Sequence, residues 1–270
     1  MDLVFVGAGR LATNLARALK AHGDHRVVAV YSRTLASAEA LAHAVGGLPT
    51  DDIASLPLCA DAFIIAVKDD ALPAVISRLQ QGREGQLFFH TAGSVPMSVF
   101  GVHEPCGVFY PMQTFSKERQ VDFARVPLFI EGSSEQALAV ARAIAQPLSS
   151  PVYELSSEGR RRLHLSAVFA CNFANHCYDM AAQLLEPYDV PFSVLLPLID
   201  ETAAKVHTMS PREAQTGPAV RYDERVMAAQ RDLLNDHPLM QQLYALMSES
   251  IHRSVLNSDF QILKPPTTNQ

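Results

Sequence analysis

The sequence predicts an α/β domain with a doubly wound parallel sheet over residues 1–155, followed by an all-helical domain over residues 156–270. Three observations predict it. Short apolar runs rich in β-branched residues alternate with helix-period segments as far as Leu155. Strand-like runs cease beyond Ser156. The first run is closed by a glycine turn that opens directly into a helix. At 270 residues the chain is also long for one hydrophobic core, which agrees with a division in two.

The first strand is Leu3-Val4-Phe5-Val6, too short for a helix and ended by Gly7. The turn Gly7-Ala8-Gly9-Arg10-Leu11-Ala12 fits G-x-G-x-x-A. Gly7 permits the tight turn, Gly9 lets the backbone approach a pyrophosphate, and Ala12 lets the helix pack closely on the strand. The helix N-terminus then offers free N–H groups to the phosphates. Glycine also marks plain βα turns. Here, though, the turn follows a strand and opens a helix with Leu11, Leu15, Ala18 and Leu19 on its apolar face.

The second strand, Arg26 to Tyr31, leads into Ser32-Arg33-Thr34. An NAD enzyme usually offers an acid here to the ribose 2′-hydroxyl, and none is present; a serine, an arginine and a threonine suit a 2′-phosphate, hence NADP. The plainer alternative is that Thr34 caps the helix Leu35 to Val45 and Arg33 is solvated. A short third unit covers residues 47–52. Asp61 to Val67 is a buried strand followed by Lys68-Asp69-Asp70, with Asp70 read as the cap of a helix ending near Leu79. Lys68 falls just past a strand's carboxyl end, where ligands of open α/β sheets collect. Gln86 to Phe89 delivers His90-Thr91-Ala92-Gly93-Ser94 to the same edge, and Gly107 to Tyr110 delivers Pro111-Met112-Gln113-Thr114-Phe115-Ser116.

A strand at Pro127 to Glu131, a helix at Glu135 to Ala145 and a strand at Pro151 to Leu155 complete the alternation. One long helical pattern then runs from Glu158 to Leu185, about 40 Å at 1.5 Å per residue. Further helices are expected near Pro191 to His207, Tyr222 to Leu234 and Pro238 to Leu256, with a frayed tail over Lys264 to Gln270.

With 48% apolar and 19% charged residues, the composition is that of a soluble globule, and a net charge of −6 argues against nucleic acid. The stretch Leu163 to Leu185 is interrupted by His164, Asn172, Asn175, His176 and Asp179, so a membrane span is not expected. Asp2 leads directly into the first strand, with no signal peptide expected before it. Four cysteines without a C-x-x-C pattern suggest neither disulfides nor a metal site, and a cytoplasmic location is the expectation.

The segments VGAGRLA, IIAVKDD, HTAGS and FYPMQTFS, with TGPAVRYD in the helical half, resemble the Rossmann-like family of deazaflavin-dependent NADP oxidoreductase-like proteins. That family is similar to pyrroline-5-carboxylate reductases, ketopantoate reductases and 3-hydroxyacid dehydrogenases, with a helical half like the 6-phosphogluconate dehydrogenase C-terminal domain. The resemblance implies an NADP-binding Rossmann domain and a helical domain that forms a homodimer. By position, it puts Gly7, Gly9, Arg10, Leu11, Ser32, Arg33, Thr34, Val67, Lys68 and Thr91 against the cofactor. Pro111, Gln113 and Thr114 would border the nicotinamide, with Thr114 and Ser94 toward the substrate. The dehydrogenase relatives often place a lysine and an asparagine four residues apart on the first helix of the second domain. This chain departs from that, offering His164 and Asn172 eight apart, roughly 80° around an α-helix.

The expected function is hydride transfer between NADPH and a small carbonyl or imine compound. An NADP-binding sensor or assembly protein without turnover, and an NADP:deazaflavin oxidoreductase, are the alternatives. His164 is the expected proton donor, Asn172 the amide that orients substrate, and His90 a positioning group acting with Thr91 and Ser94. His164 and Asn172 satisfying polar groups between packed helices is the plainer reading. Leu163, Leu165, Val168, Phe169 and Phe173 make the long helix unusually apolar around its circumference, pointing to a homodimer or to burial under the later helices. Thr216-Gly217-Pro218 with Arg221 and Asp223 is either a loop at a composite substrate site or a helix entry at Pro218.

Overall fold

The computed structural model describes residues 1–116, 121–149 and 151–256; the expected frayed tail lies outside them. The strands are β1 (Asp2–Val6), β2 (Arg26–Tyr31), β3 (Leu48–Thr50), β4 (Ala62–Ile65), β5 (Phe88–His90), β6 (Cys106–Pro111), β7 (Leu128–Gly132) and β8 (Val152–Glu154). They form one eight-stranded sheet in the order β3-β2-β1-β4-β5-β6-β7-β8. All neighbours are parallel except β6 and β7. The exception has a local cause. Parallel neighbours require a crossover, usually helical, and the described residues between β6 and β7 contain only the single turn Phe123–Arg125.

Alternation along each strand sends residues to opposite faces of the sheet. Leu3, Phe5, Ala62 and Ile64 enter one core with α1 (Arg10–His22), α2 (Leu35–Val45) and α4 (Glu135–Ala145). Val4, Val6, Phe63 and Ile65 enter a second core with α3 (Leu72–Leu79). Helices on both faces of a mostly parallel sheet are the doubly wound arrangement. The short third unit carries no helix between β3 and β4. A single turn, Ile53–Ser55, replaces it, pinned by the buried Arg83, which donates to the carbonyls of Ile53, Leu56 and Pro57. Asp70 does not cap α3. It lies inside a tight turn, Asp69–Ala71, that enters the helix.

Beyond β8 the described chain is helical. It runs through α5 (Ser157–Ala167), a π-turn at Val168–Phe173, α6 (Ala174–Leu185), α7 (Leu196–Lys205), α8 (Pro211–Ala214), α9 (Pro218–Arg221), α10 (Glu224–Asp232) and α11 (Pro238–Leu256). No described helix is long and apolar enough to cross a membrane. The strands end at Glu154, whereas the chain divides into compact units at Met1–Asn172 and Phe173–Gln270. Helix α5 groups with the sheet because its first turns are bonded to it: Ser157 and Arg160 both hydrogen-bond Glu131 of β7.

Candidate active site

The β1–α1 turn is built for close approach. Gly7 has φ +122°, and a Cβ there would lie 2.3 Å from the Ala66 carbonyl oxygen, so no other residue fits. At Gly9 a Cβ would meet nothing within 4 Å, and the space is open. Gly9 begins α1 without any side-chain cap, and the first turn holds no acid. Its N–H groups and the positive end of the helix dipole therefore face outward, where an anion is stabilised. Leu11 is half-buried at the helix start, and Ala12 is fully buried behind it.

Strand β1 pairs with β2 on one side and β4 on the other, so this turn stands at the switch point of the sheet, where α/β folds form their ligand crevice. Arg10, Arg33 and Lys68 border it, exposed and with side chains unpaired among the described residues. Ser32 is half-buried, its N–H donating to the Thr50 carbonyl. Thr34 occupies the cap position of α2 but donates its hydroxyl to Ser37 Oγ at 2.8 Å. Val67 lies beside the turn, its Cγ1 3.3 Å from a Cβ placed on Gly7.

At the ends of β5 and β6 the chain builds a second feature. Tyr110 Oη and His164 Nδ1 are 3.1 Å apart, with the rings edge to face. They meet across Gly93, where a Cβ would fall 2.6 Å from His164 Nδ1 and 2.9 Å from Tyr110 Cζ. Burial raises the Tyr110 pKa, Arg160 opposing and Asp69 adding to the shift. With the phenol as donor, Nδ1 is the acceptor and the ring proton lies on Nε2. The pair opens on a cleft of about 320 Å³ whose lining includes Met112, Gln113, Thr114, Leu163, Cys171 and Asn172.

Asn172 reaches the same cleft because of the π-turn. Over eight residues a regular α-helix would offset it from His164 by roughly 80°, and one extra residue absorbed in a wider turn cuts this to roughly 20°. The structure thus brings together His164, Asn172, Gln113 and Thr114. The Gln113 Oε1 accepts from the N–H and hydroxyl of Thr114, fixing the loop's first turn, and Pro111 is buried behind it. Ser94 donates to Asp69 across the strand ends. Thr91 is buried, its hydroxyl bonded to the Ile65 carbonyl at 3.3 Å, so it ties β5 to β4 and is not free for a ligand.

His90 requires a correction. It is fully buried, stacks on Phe100 and accepts the Ala92 N–H at Nδ1. Burial, aided by the Arg160 charge, lowers its pKa to about 3. A neutral ring in the core touches no substrate. It supports the turn that carries Gly93. Thr216 and Arg221 belong to the second unit, just before and at the end of the one-turn helix α9, which Pro218 enters at its first position.

Tyr110 is the residue the sequence reading missed. It stood inside FYPMQTFS, and the available signal was a phenol ending an otherwise apolar strand at the ligand edge.

The fold is a doubly wound α/β unit of the dinucleotide-binding type, with the Tyr110–His164 contact at its carboxyl edge. Residues 2–92 match the family described as NADP oxidoreductase, coenzyme F420-dependent, and residues 126–251 match a domain of unknown function, DUF2520. A Bacteroides fragilis protein whose crystal structure is described as a "putative NADP oxidoreductase" is 52% identical, with 93% of this chain and 98% of that one covered and a TM-score of 0.87. The chain belongs to that protein's family. An imine reductase of Streptomyces aurantiacus (15% identity, 94% of each chain, TM-score 0.68) shares the fold. So does a reductive aminase of Aspergillus terreus solved with NADPH and ethyl-5-oxohexanoate (16% identity, 95% of this chain and 94% of that one, TM-score 0.68). No curated protein matches.

Proposed function

We propose that the protein is an NADPH-dependent reductase of a small carbonyl or imine compound. The observation that carries this reading is the Tyr110–His164 pair, opening on a cleft at the same sheet edge as the glycine crevice. Strands β1, β4, β5 and β6 are consecutive neighbours, so three strand spacings, about 14 Å, separate the pyrophosphate turn from Tyr110. That leaves room along the edge for the ribose and nicotinamide that follow the pyrophosphate, with the other nucleoside toward β2. The relatives named as NADP oxidoreductases support the oxidoreductase class.

When bound, NADPH supplies the hydride. The chain does the rest. The Gly7–Gly9 turn and the start of α1 hold the pyrophosphate; Ser32, Arg33 and Thr34 hold the 2′-phosphate; Lys68 adds positive charge. Pro111 and Gln113 border the nicotinamide. His164 gives its Nε2 proton to the substrate oxygen or nitrogen while Tyr110 passes its own proton to Nδ1. The negative charge then rests on the phenolate oxygen, where the Arg160 charge opposes the cost of burial, until a proton from solvent restores the pair. Asn172 orients the substrate with its amide. We further propose a homodimer through the helical half, on the support of the exposed Leu165, Phe169 and Phe173 on the α5–α6 helix. The intended test is NADPH oxidation against ketones, imines, ketoacids and a deazaflavin. Turnover of a carbonyl or imine compound supports the reading, and oxidation by the deazaflavin alone replaces it with the oxidoreductase alternative. Failure to bind NADPH overturns it.

A further inference from the structure

Arg160 is the largest fully buried side chain, 1% exposed, and it lies one helical turn before His164 on α5. Its guanidinium joins three parts of the first unit. Nη1 pairs with Glu131 of β7, and Nη2 donates to the Val95 carbonyl at 2.6 Å and to Ser157 Oγ at 3.3 Å. Ser157 closes the ring of contacts: its N–H and hydroxyl donate to Glu131, and its Oγ accepts the Met97 N–H at 2.9 Å. Val95 and Met97 continue the loop that carries Gly93, across which Tyr110 and His164 meet. A buried ion pair is weak evidence of stabilisation, because desolvation offsets much of the attraction. Its geometry is the informative part.

We propose that Arg160 is a positioning residue: the Glu131–Arg160–Ser157 clasp sets the height of α5 over the Gly93 loop, and with it the contact and charge environment of the Tyr110–His164 pair. The proposal rests on the reading of that pair as the proton-handling group. Tyr110 faces Arg160 and His164 from α5 and Asp69 from the turn after β4, and the two charged groups act oppositely on it. Helix spacing does the rest. Residues four apart lie on one face, so a bond fixing Arg160 to the loop and to β7 fixes His164 above the same loop.

The test is nuclear magnetic resonance of the full chain with labelled tyrosine and histidine, Tyr110 being assigned by Tyr110→Phe. It follows the Tyr110 titration midpoint and the His164 tautomer. In the paired change Arg160→Met with Glu131→Gln, which leaves no orphan charge, the midpoint is expected to rise by about half a pH unit or more. The single Nδ1-accepting tautomer becomes a mixture. Arg160→Lys keeps the charge but loses the fork, and is expected to hold the midpoint while mixing the tautomers. Glu131→Gln, nearly isosteric, serves should the paired variant not fold, and is expected to mix the tautomers and lower the midpoint. Wild-type midpoint and tautomer in the folded variants overturn the proposal, since a merely structural clasp would lower the melting temperature and nothing else. NADPH titration of the same samples by fluorescence checks the reductase reading separately, and its failure leaves the resonance result standing.

Discussion

The two compact units use apolar residues in opposite ways. In Met1–Asn172 the sheet closes two cores in which Leu3, Val4, Phe5 and Val6 are wholly buried. In Phe173–Gln270 only Ala219 and Leu234 are buried among the described residues, while Leu198, Leu233, Leu239 and Leu246 are each more than half exposed. The first unit encloses its own core; the second presents apolar faces of the kind that mark association surfaces. The difference teaches that apolar content alone does not make a core: the first unit folds its apolar residues behind a sheet, and the second carries them on exposed helix faces of the single chain.

The sharpest way to break that comparison is at His164, which groups with the first unit. Once a substrate is in hand, His164→Gln is expected to lower kcat by about 10²–10⁴ with NADPH affinity nearly unchanged. Equal turnover in the two proteins would take His164 out of the mechanism.

Next in size is Arg33. Losing a charged donor to a phosphate costs about 1.5–3 kcal/mol, roughly 10- to 10²-fold. Arg33→Ala should therefore weaken NADPH binding by that factor and leave NADH alone; an unchanged ratio of the two dissociation constants would refute the 2′-phosphate assignment.

A third effect tests the core of the first unit. His90 stays neutral when folded, with a pKa of about 3, but takes a proton near pH 6.5 when unfolded. The unfolded chain binds the extra proton between those values. Its contribution to stability is thus complete above about pH 6.5 and is lost as pH falls toward 3, by up to about 1.4 kcal/mol per pH unit. His90→Leu should flatten this acid limb in urea unfolding measured at several pH values, whatever its effect at neutral pH. An identical slope would show that His90 is already protonated in the fold.

The smallest effect concerns the helices. Leu165, 56% exposed on α5, is expected to weaken self-association about tenfold when changed to Glu, because a charge would be carried into an apolar contact. Light scattering on the unmodified protein at micromolar concentration should give twice the chain mass; a monomeric mass would end the dimer proposal.

Much of the first unit was legible because its signals are local. The strands Ala62–Ile65 and Asp2–Val6 are uninterrupted apolar runs, and the Gly7 turn advertises itself through a conformation that only glycine adopts. What escaped is what depends on contacts far apart in the chain. The absent helix after β3 follows from Arg83, about thirty residues on, gathering backbone carbonyls. The antiparallel turn of β7 depends on a connection lacking a crossover helix among its described residues. In the site, His164 and Asn172 were readable as polar interruptions of an apolar helix. The displacement of His90 by Tyr110 was not, since burial and the 3.1 Å contact across Gly93 exist only in three dimensions.

The π-turn at Val168–Phe173 carries a consequence for how the protein can be altered. A turn holding one residue too many is a less favourable form of helix, and removing that residue lets the chain relax into regular α-helix. Seven regular steps from His164 come to about 700°, so the shortened helix keeps Asn172 within roughly 20° of His164, whereas straightening the turn with every residue kept swings it by about 100°. Loss of one residue between His164 and Asn172 should make a firmer helix with the two side chains still on one face, while a change that straightens the turn at full length should part them. The irregular turn lets the chain carry one more residue without turning Asn172 away from the cleft.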